Sequence, residues 1–366
     1  MSGLVVHEWA ERSGGAENVV DQMLKVFPDA DLNVLWNDAP DRYPGAVESW
    51  LARTPLRRHK ALAMPLMLPT WRLIRATRAY DWILVSSHLF AHHVALRSSS
   101  MAPPKYVYAH SPARYIWAPE HDDRGTKLSA RVASPLFKRI DRIRAQEPEA
   151  IAANSLFVRQ RIADAWDRDS EVIYPPVDVE RIGDVQAWES RLTSDERRLL
   201  EALPQSFVLG ASRFVRYKSL DRVIAAAELA DLPVVIAGRG PEENHLRELA
   251  AAARVPAHIV HSPSDSLLWA LYRRAMVLAF PAVEDFGIVP VEAQILGTPV
   301  VTGPVGGQVE SVCDGVTGVI SESTRPEHLA DAIYEAIELP AFDGGAVTAK
   351  FSADRFRSEI AAFVGR

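Results

Sequence analysis

Short apolar runs of strand length alternate with longer stretches of helical spacing along the whole chain, and that alternation restricts the fold more than any single residue. Parallel strands cannot be joined by a tight turn. The return needs a crossover, usually a helix, so the pattern reads as α/β with doubly wound parallel sheets. Strands are expected near 4–9, 31–36, 82–86, 105–109, 150–154 and 171–174, then near 206–212, 233–238, 257–261, 276–280, 299–302 and 318–321. Leu220 to Leu229 spaces its apolar residues for one helical face. Each half has strands enough for its own sheet, and 366 residues exceed what one core usually serves. The adjacent prolines of Tyr174-Pro175-Pro176-Val177-Asp178 forbid helix and stiffen a connector. Domains are therefore expected over 1–175 and 176–345, with 346–366 as a C-terminal helix packing back on the first. A polar, helix-like stretch from Gln186 to Ala202 leads into the second sheet.

A net charge of −6 leaves no basic footprint, so no nucleic-acid partner is expected. The single cysteine, Cys313, excludes an intrachain disulfide framework and suits a reducing compartment. No run reaches the roughly 18 apolar residues of a membrane helix, and Leu4-Val5-Val6-His7-Glu8 lacks the basic and apolar regions of a signal peptide. The expectation is a soluble, cytoplasmic protein.

Ligands on doubly wound sheets bind beyond the carboxyl ends of the strands, so the residues just after each strand carry the chemistry. Phe280-Pro281-Ala282-Val283-Glu284-Asp285-Phe286-Gly287-Ile288-Val289-Pro290-Val291-Glu292 follows one strand and opens a helix to about Leu296. The backbone N–H groups around Phe286, Gly287 and Ile288 suit an anionic phosphate. Glu284 and Glu292 can each accept two hydrogen bonds from sugar or ribose hydroxyls. Arg213 and Lys218, after the strand at 206–212, offer a guanidinium fork and a compact ammonium, a pair suited to a diphosphate. Gly238-Arg239-Gly240 follows the next strand but lacks the third glycine of a dinucleotide fingerprint. In the first half, Gly14-Gly15 follows the first strand and lets a ligand approach the backbone. His110 follows the strand at 105–109 within Tyr108-Ala109-His110-Ser111-Pro112-Ala113-Arg114-Tyr115-Ile116-Trp117.

Together these strings resemble glycosyltransferase family 4. Glu284 and Glu292 match its Glu-x7-Glu signature. Ala293-Gln294-Ile295-Leu296-Gly297-Thr298-Pro299-Val300-Val301, Gly306-Gly307 with Glu310, and Asp314-Gly315-Val316-Thr317-Gly318 follow in the family's order. The resemblance runs from about Val5 to Arg325. It implies the GT-B fold, two Rossmann-like domains facing across a cleft, and retaining transfer of a sugar from a nucleotide-sugar. It also implies Arg213 and Lys218 on the diphosphate, Glu292 on the ribose and Glu284 on the sugar hydroxyls. Gly15, Gly238, Phe286, Gly287 and Ile288 join the donor site, with His261 bordering the base. The string around His110 resembles the Tyr-x-His-x-Pro-x-Arg-Tyr-x-Trp signature of mannosyltransferase-like members. That likeness puts His110 beside the transferred sugar, Gly14, Arg114 and Tyr115 on the acceptor side, and favours GDP-mannose over UDP-sugars. Asn154-Ser155, with Arg161-Ile162, fits as a helix cap. No covalent nucleophile stands out; the departing phosphate would act as base for same-face attack.

Between Leu51 and Arg78, seven Arg or Lys and no acid are interleaved with Leu56, Leu62, Met64, Leu66, Met67, Leu68, Trp71 and Ile74. The mixture suits either a packed helix pair with a basic outer face or peripheral contact with an anionic membrane. Pro65 and Pro69 argue against one long helix there. The acceptor expected is a saccharide or a lipid-linked saccharide. No cofactor or metal is expected: Asp29-Ala30-Asp31 precedes a strand, Asp167-Arg168-Asp169 falls in a polar helix-like stretch, and His88, His92 and His93 lack a zinc pattern. The rival readings are a sugar-nucleotide epimerase or phosphorylase on the same fold, and a binding relative without turnover.

Overall fold

The computed structural model describes residues 2–12, 14–96, 102–117 and 128–365. The chain divides into two compact units, Met1–Pro176 with Ala353–Arg366, and Val177–Ser352.

In the first unit β1 (Gly3–His7), β2 (Asp31–Val34), β3 (Val47–Glu48), β4 (Trp82–Ser87), β5 (Lys105–Ala109), β6 (Ala150–Ala153) and β7 (Glu171–Val172) form one all-parallel sheet. Their order is β3-β2-β1-β4-β5-β6-β7. The crossovers carry α1 (Gly15–Val26), α2 (Lys60–Arg72), α3 (Arg114–Trp117), α4 (Leu128–Arg144) and α5 (Leu156–Trp166). The central strands read as unbroken apolar runs because both sheet faces are covered. Successive residues take opposite sides. Leu4, Val6, Ile83, Val85 and Val107 join a core with Trp71, Phe90 and Trp166. Val5, Leu84, Tyr106 and Tyr108 join another with Val19, Val20 and Met23 of α1 and Phe356, Ile360 and Phe363 of the C-terminal helix Ala353–Val364.

The second unit repeats the plan with β8 (Val208–Ala211), β9 (Val234–Gly238), β10 (Ala257–His261), β11 (Val277–Phe280), β12 (Val300–Thr302) and β13 (Gly318–Ile320), in the order β10-β9-β8-β11-β12-β13. Its helices are α6 (Val179–Gly183), α7 (Val185–Glu189), α8 (Ser194–Ala202), α9 (Leu220–Leu229), α10 (Glu243–Ala252), α11 (Asp265–Arg274), α12 (Ile288–Ile295), α13 (Pro326–Ile337) and α14 (Gly345–Phe351).

Each sheet has one adjacent strand pair whose connections lead off in opposite directions: β1 with β4, and β8 with β11. The loops splay apart at such a switch point and open a crevice beyond the strand ends.

Every expected strand is present, with ends displaced by at most about two residues. Three local expectations are corrected. Residues 60–72 do form one helix despite Pro65 and Pro69. Both prolines lie on its exposed side, so the carbonyls of Ala61 and Pro65, which lose their N–H partners, can turn to water while Ala63, Met67, Thr70 and Trp71 stay buried. The 186–202 stretch is two helices, because Thr193 adopts extended backbone and caps α8 reciprocally with Glu196. Asp167 is not inside a helix; it closes α5 in the left-handed region at φ 56°.

Candidate active site

At the first unit's switch point, the register sets His7 of β1 beside Ser86 of β4, and Ser87 beside Ala109 of β5, just before His110. Ser86 Oγ lies 3.1 Å from His7 Nδ1 and 2.9 Å from His110 Nε2. The His110 amide donates to the Ser87 carbonyl at 2.8 Å, fixing the residue at the strand's end. His88 adds a third imidazole, its ring 5.5 Å from that of His7 and 6.3 Å from that of His110. Burial, with His88 and His7 nearby, pushes the His110 pKa down to about 3, so its ring is neutral at ordinary pH.

Two buried carboxylates shape the loops around these rings. Glu8 accepts the amides of His88, Leu89 and Ala91 at 3.1, 2.9 and 2.7 Å. Glu17, in the first turn of α1, accepts the Glu11 amide at 3.0 Å and stands 3.9 Å from His7 Nε2. Burial alone would raise the Glu17 pKa, but His7 and the amides hold it down, at about 2. A Cβ on Gly14 would sit 2.1 Å from Glu17 Oε2, so this glycine makes room for the protein's own carboxylate. Gly15 is the first residue of α1.

Arg114 opens α3, and Tyr115 follows it; the Tyr115 side chain lies outside the described residues. The motif's last member has a structural task. Trp117 Nε1 donates to Asp141 Oδ2 at 2.7 Å, as does Trp166 Nε1, while His93 Nε2 lies 2.9 Å from Oδ1. One buried carboxylate thus ties α3, α4 and α5 together. Ser155 Oγ accepts the Val158 amide at 3.0 Å and caps α5.

In the second unit Lys218 follows β8 and Glu284 follows β11, the strands of its switch point, and the two side chains form an ion pair. The residues expected to serve diphosphate and sugar separately are therefore each other's partners. The Glu284 amide donates to Gln308 Oε1 at 3.0 Å, and the Gly307 amide donates to the Glu284 carbonyl at 2.7 Å. Gly287 caps α12 at φ 88°, where a Cβ would also meet Gln308 Cβ at 2.7 Å. Beyond it Ile288 begins the helix. The Phe286 side chain turns inward, its ring 5.3 Å from that of Phe351.

Arg213 is exposed and donates to the Tyr217 hydroxyl at 2.8 Å. Gly238 holds φ 149° under the β8 loop, where a Cβ would lie 1.9 Å from the Ser212 carbonyl oxygen. His261 pairs through Nδ1 with Glu243 at 2.7 Å. Glu292 has a different set of neighbours from Glu284. Tyr272 donates to Glu292 Oε2 at 3.4 Å, and burial, reinforced by Asp265, raises the Glu292 pKa to about 7.

Among the described residues, two trios bring ligand atoms within 4.8 Å of one another: His7-Glu8-His88 and His92-His93-Asp141. Both carboxylates already accept N–H donors from the protein, while His7 Nε2, His88 Nδ1 and His92 Nε2 are buried without a hydrogen-bond partner. Sequence reasoning missed His7, Glu8, Glu17, Ser86 and Gln308. The available signal was positional: polar residues end three strands that the switch-point topology makes neighbours.

In the basic stretch, Arg57, Lys60, Arg72 and Arg78 pair with Asp38, Glu11, Glu147 and Asp31. Those pairs offset much of the local charge.

Residues 13–181 match the family described as Glycosyltransferase Family 4, and residues 193–346 match Glycosyl transferases group 1. D-inositol 3-phosphate glycosyltransferase of Salinispora arenicola is 34% identical over 202 residues, 49% of this chain and 45% of that protein. The protein of the same description from Mycobacterium tuberculosis (strain F11) is 35% identical over 199 residues, 50% of this chain and 39% of its own length. The match thus spans less than half of each relative. Among solved structures, Anabaena HepE in complex with UDP-glucose aligns over 98% of both chains with a TM-score of 0.70 at 19% identity. Sucrose-phosphate synthase from Thermosynechococcus elongatus aligns over 99% of this chain and 98% of its own, with a TM-score of 0.72 at 16% identity. Each half of the chain thus matches a glycosyltransferase family model on its own Rossmann-like parallel sheet, and the chain shares the GT-B fold of these solved structures.

Proposed function

We propose that this chain is a retaining glycosyltransferase that moves a hexose, mannose from GDP-mannose in the first instance, onto a saccharide or lipid-linked acceptor. The observation that carries the reading is the second unit's switch point. There a buried lysine and a half-buried glutamate pair between the β8 and β11 loops, and the chain runs on to the glycine-capped start of α12. Cation, carboxylate and a helix N-terminus side by side suit a sugar diphosphate, whose charge and hydroxyls need opposite kinds of partner. Arg213 and Lys218 neutralise the leaving diphosphate, the amides of Phe286, Gly287 and Ile288 add hydrogen bonds, and Glu292 takes the ribose hydroxyls. Glu284 orients the sugar hydroxyls, releasing Lys218 to phosphate as the donor binds. In the N-terminal unit His110 contacts sugar, with Gly14, Arg114 and Tyr115 on the acceptor side. Catalysis is electrostatic support for a leaving diphosphate and an oxocarbenium-like sugar, without resident cofactor or metal.

The mannosyl preference is supported by the His110 to Trp117 string; relatives that act on D-inositol 3-phosphate, and a fold neighbour that binds UDP-glucose, define the competing donors and acceptors to be tested. Peripheral contact with an anionic membrane, through exposed Leu62 and Leu66 of α2 with Leu73 and Arg58 alongside, belongs to the same proposal. The test is a panel of GDP- and UDP-sugars, read by thermal shift and by donor hydrolysis, then by the anomeric configuration of transferred product. A bound donor raises Tm with its occupancy. GDP-mannose alone giving shift and hydrolysis supports the reading; response to UDP-sugars alone corrects the donor, and no response to any nucleotide-sugar rejects the function.

A further inference from the structure

The first unit's switch point contains more than a histidine at a strand end. Three side chains lie in a row across β1, β4 and the residue after β5: His7, Ser86 and His110. Ser86 is fully buried and has one hydroxyl proton to give, yet its oxygen lies within hydrogen-bond distance of a nitrogen on each ring. It can donate to only one of them and must accept from the other.

His7 decides the direction. Its Nδ1 faces two oxygens, Ser86 Oγ at 3.1 Å and the Ser86 carbonyl at 3.3 Å. A carbonyl oxygen only accepts, so a bare lone pair on Nδ1 would confront another lone pair; a proton on Nδ1 satisfies both contacts. The imidazolium form of His7 also carries that proton. Both forms therefore direct the Ser86 hydroxyl toward His110, whose Nε2 must then be the acceptor. One form opposes this: neutral His7 with its proton on Nε2.

We infer that Ser86, oriented by His7, is a positioning residue that locks His110 in the tautomer with its proton on Nδ1, so that the ring meets its ligand as a hydrogen-bond donor. This rests on the proposed function only in taking that ligand to be a sugar. A donor nitrogen suits hydroxyl or phosphate oxygens and would serve poorly as a base, which agrees with a mechanism in which the departing phosphate takes the proton. The low proton affinity of the buried ring keeps it neutral, so the tautomer and not the charge is what the protein controls.

The experiment is long-range proton–nitrogen correlation NMR on the full chain labelled with 15N-histidine, with the His110 signals assigned by their loss in His110→Gln. The expected wild-type spectrum shows a protonated Nδ1 and an unprotonated Nε2 for His110. Ser86→Ala should convert this into a mixture of both tautomers, and Ser86→Thr should restore the single form. A protonated Nε2 in the wild type overturns the inference without recourse to any variant, as does an unchanged His110 spectrum in folded Ser86→Ala. Because no donor is present, the result is separable from the proposed function. A chain inert toward every nucleotide-sugar but showing the Nδ1 proton would sink the function and leave the tautomer standing.

Discussion

Lys218 and Glu284 form an ion pair with side-chain exposures of only 9% and 16%, at the point where donor recognition is proposed. Removing one partner of a buried pair strands the other; the usual cost is about 3–5 kcal/mol, and the partial exposure here reduces it to about 2–4 kcal/mol. Lys218→Met and Glu284→Gln should each lower unfolding stability by that amount, measured by urea denaturation at pH 7. The double variant, which leaves no unpaired charge, should lose at least about 1.5 kcal/mol less than the sum of the singles. Transfer must behave differently: all three variants should be inactive, because the double variant recovers stability but neither the phosphate cation nor the sugar carboxylate. Strictly additive stability losses would show that the two side chains do not share a buried pair. A stable double variant with wild-type transfer would remove both residues from the proposed chemistry.

Glu292 has a folded pKa raised from 4.5 to about 7, so the folded chain holds an extra proton between those values and should lose stability as pH rises through that window. The loss, at most about 3 kcal/mol and less for a partly exposed group, should disappear in Glu292→Gln; parallel stability–pH curves for wild type and variant would contradict the buried-carboxyl reading. Transfer should survive EDTA unchanged, and recovery of lost activity by Mg2+ or Mn2+ would make a metal part of the mechanism. Sedimentation with vesicles containing anionic lipid at low salt should fall in the double variant Leu62→Asp, Leu66→Asp. Equal sedimentation of wild type and variant would rule out that face of α2.

The two sheets were legible because parallel strands covered on both faces must be apolar throughout, and runs such as Leu4-Val5-Val6 and Ile83-Leu84-Val85 cannot be placed elsewhere. The edge strand Val47–Glu48 was not, since two exposed residues are too short a run to show a strand pattern. The helix through Pro65 and Pro69 defied local rules because water can serve the carbonyls on its outer side. Within the candidate site, residues close to a motif could be read: Lys218, Glu284, Gly287 and His110 all lie just after strands. Their partners could not. His7 and Ser86 are 79 residues apart, and Lys218 and Glu284 66 apart, so only the strand order brings them together. The Trp117 that ends the N-terminal motif belongs to Asp141 and the packing of three helices, a role that no spacing rule announces.

Arg213 offers the most direct test of phosphate recognition, because it is exposed and donates to the Tyr217 hydroxyl of its own loop, so its loss should leave the fold intact. Calorimetric titration of GDP and UDP into the wild type and Arg213→Ala, alongside transfer assays, measures its contribution. The account predicts nucleoside-diphosphate binding at least tenfold weaker in the variant and transfer slower by about 100-fold, roughly 2.7 kcal/mol, with an unchanged Tm in the absence of ligand. Equal affinity and near-wild-type transfer would contradict it.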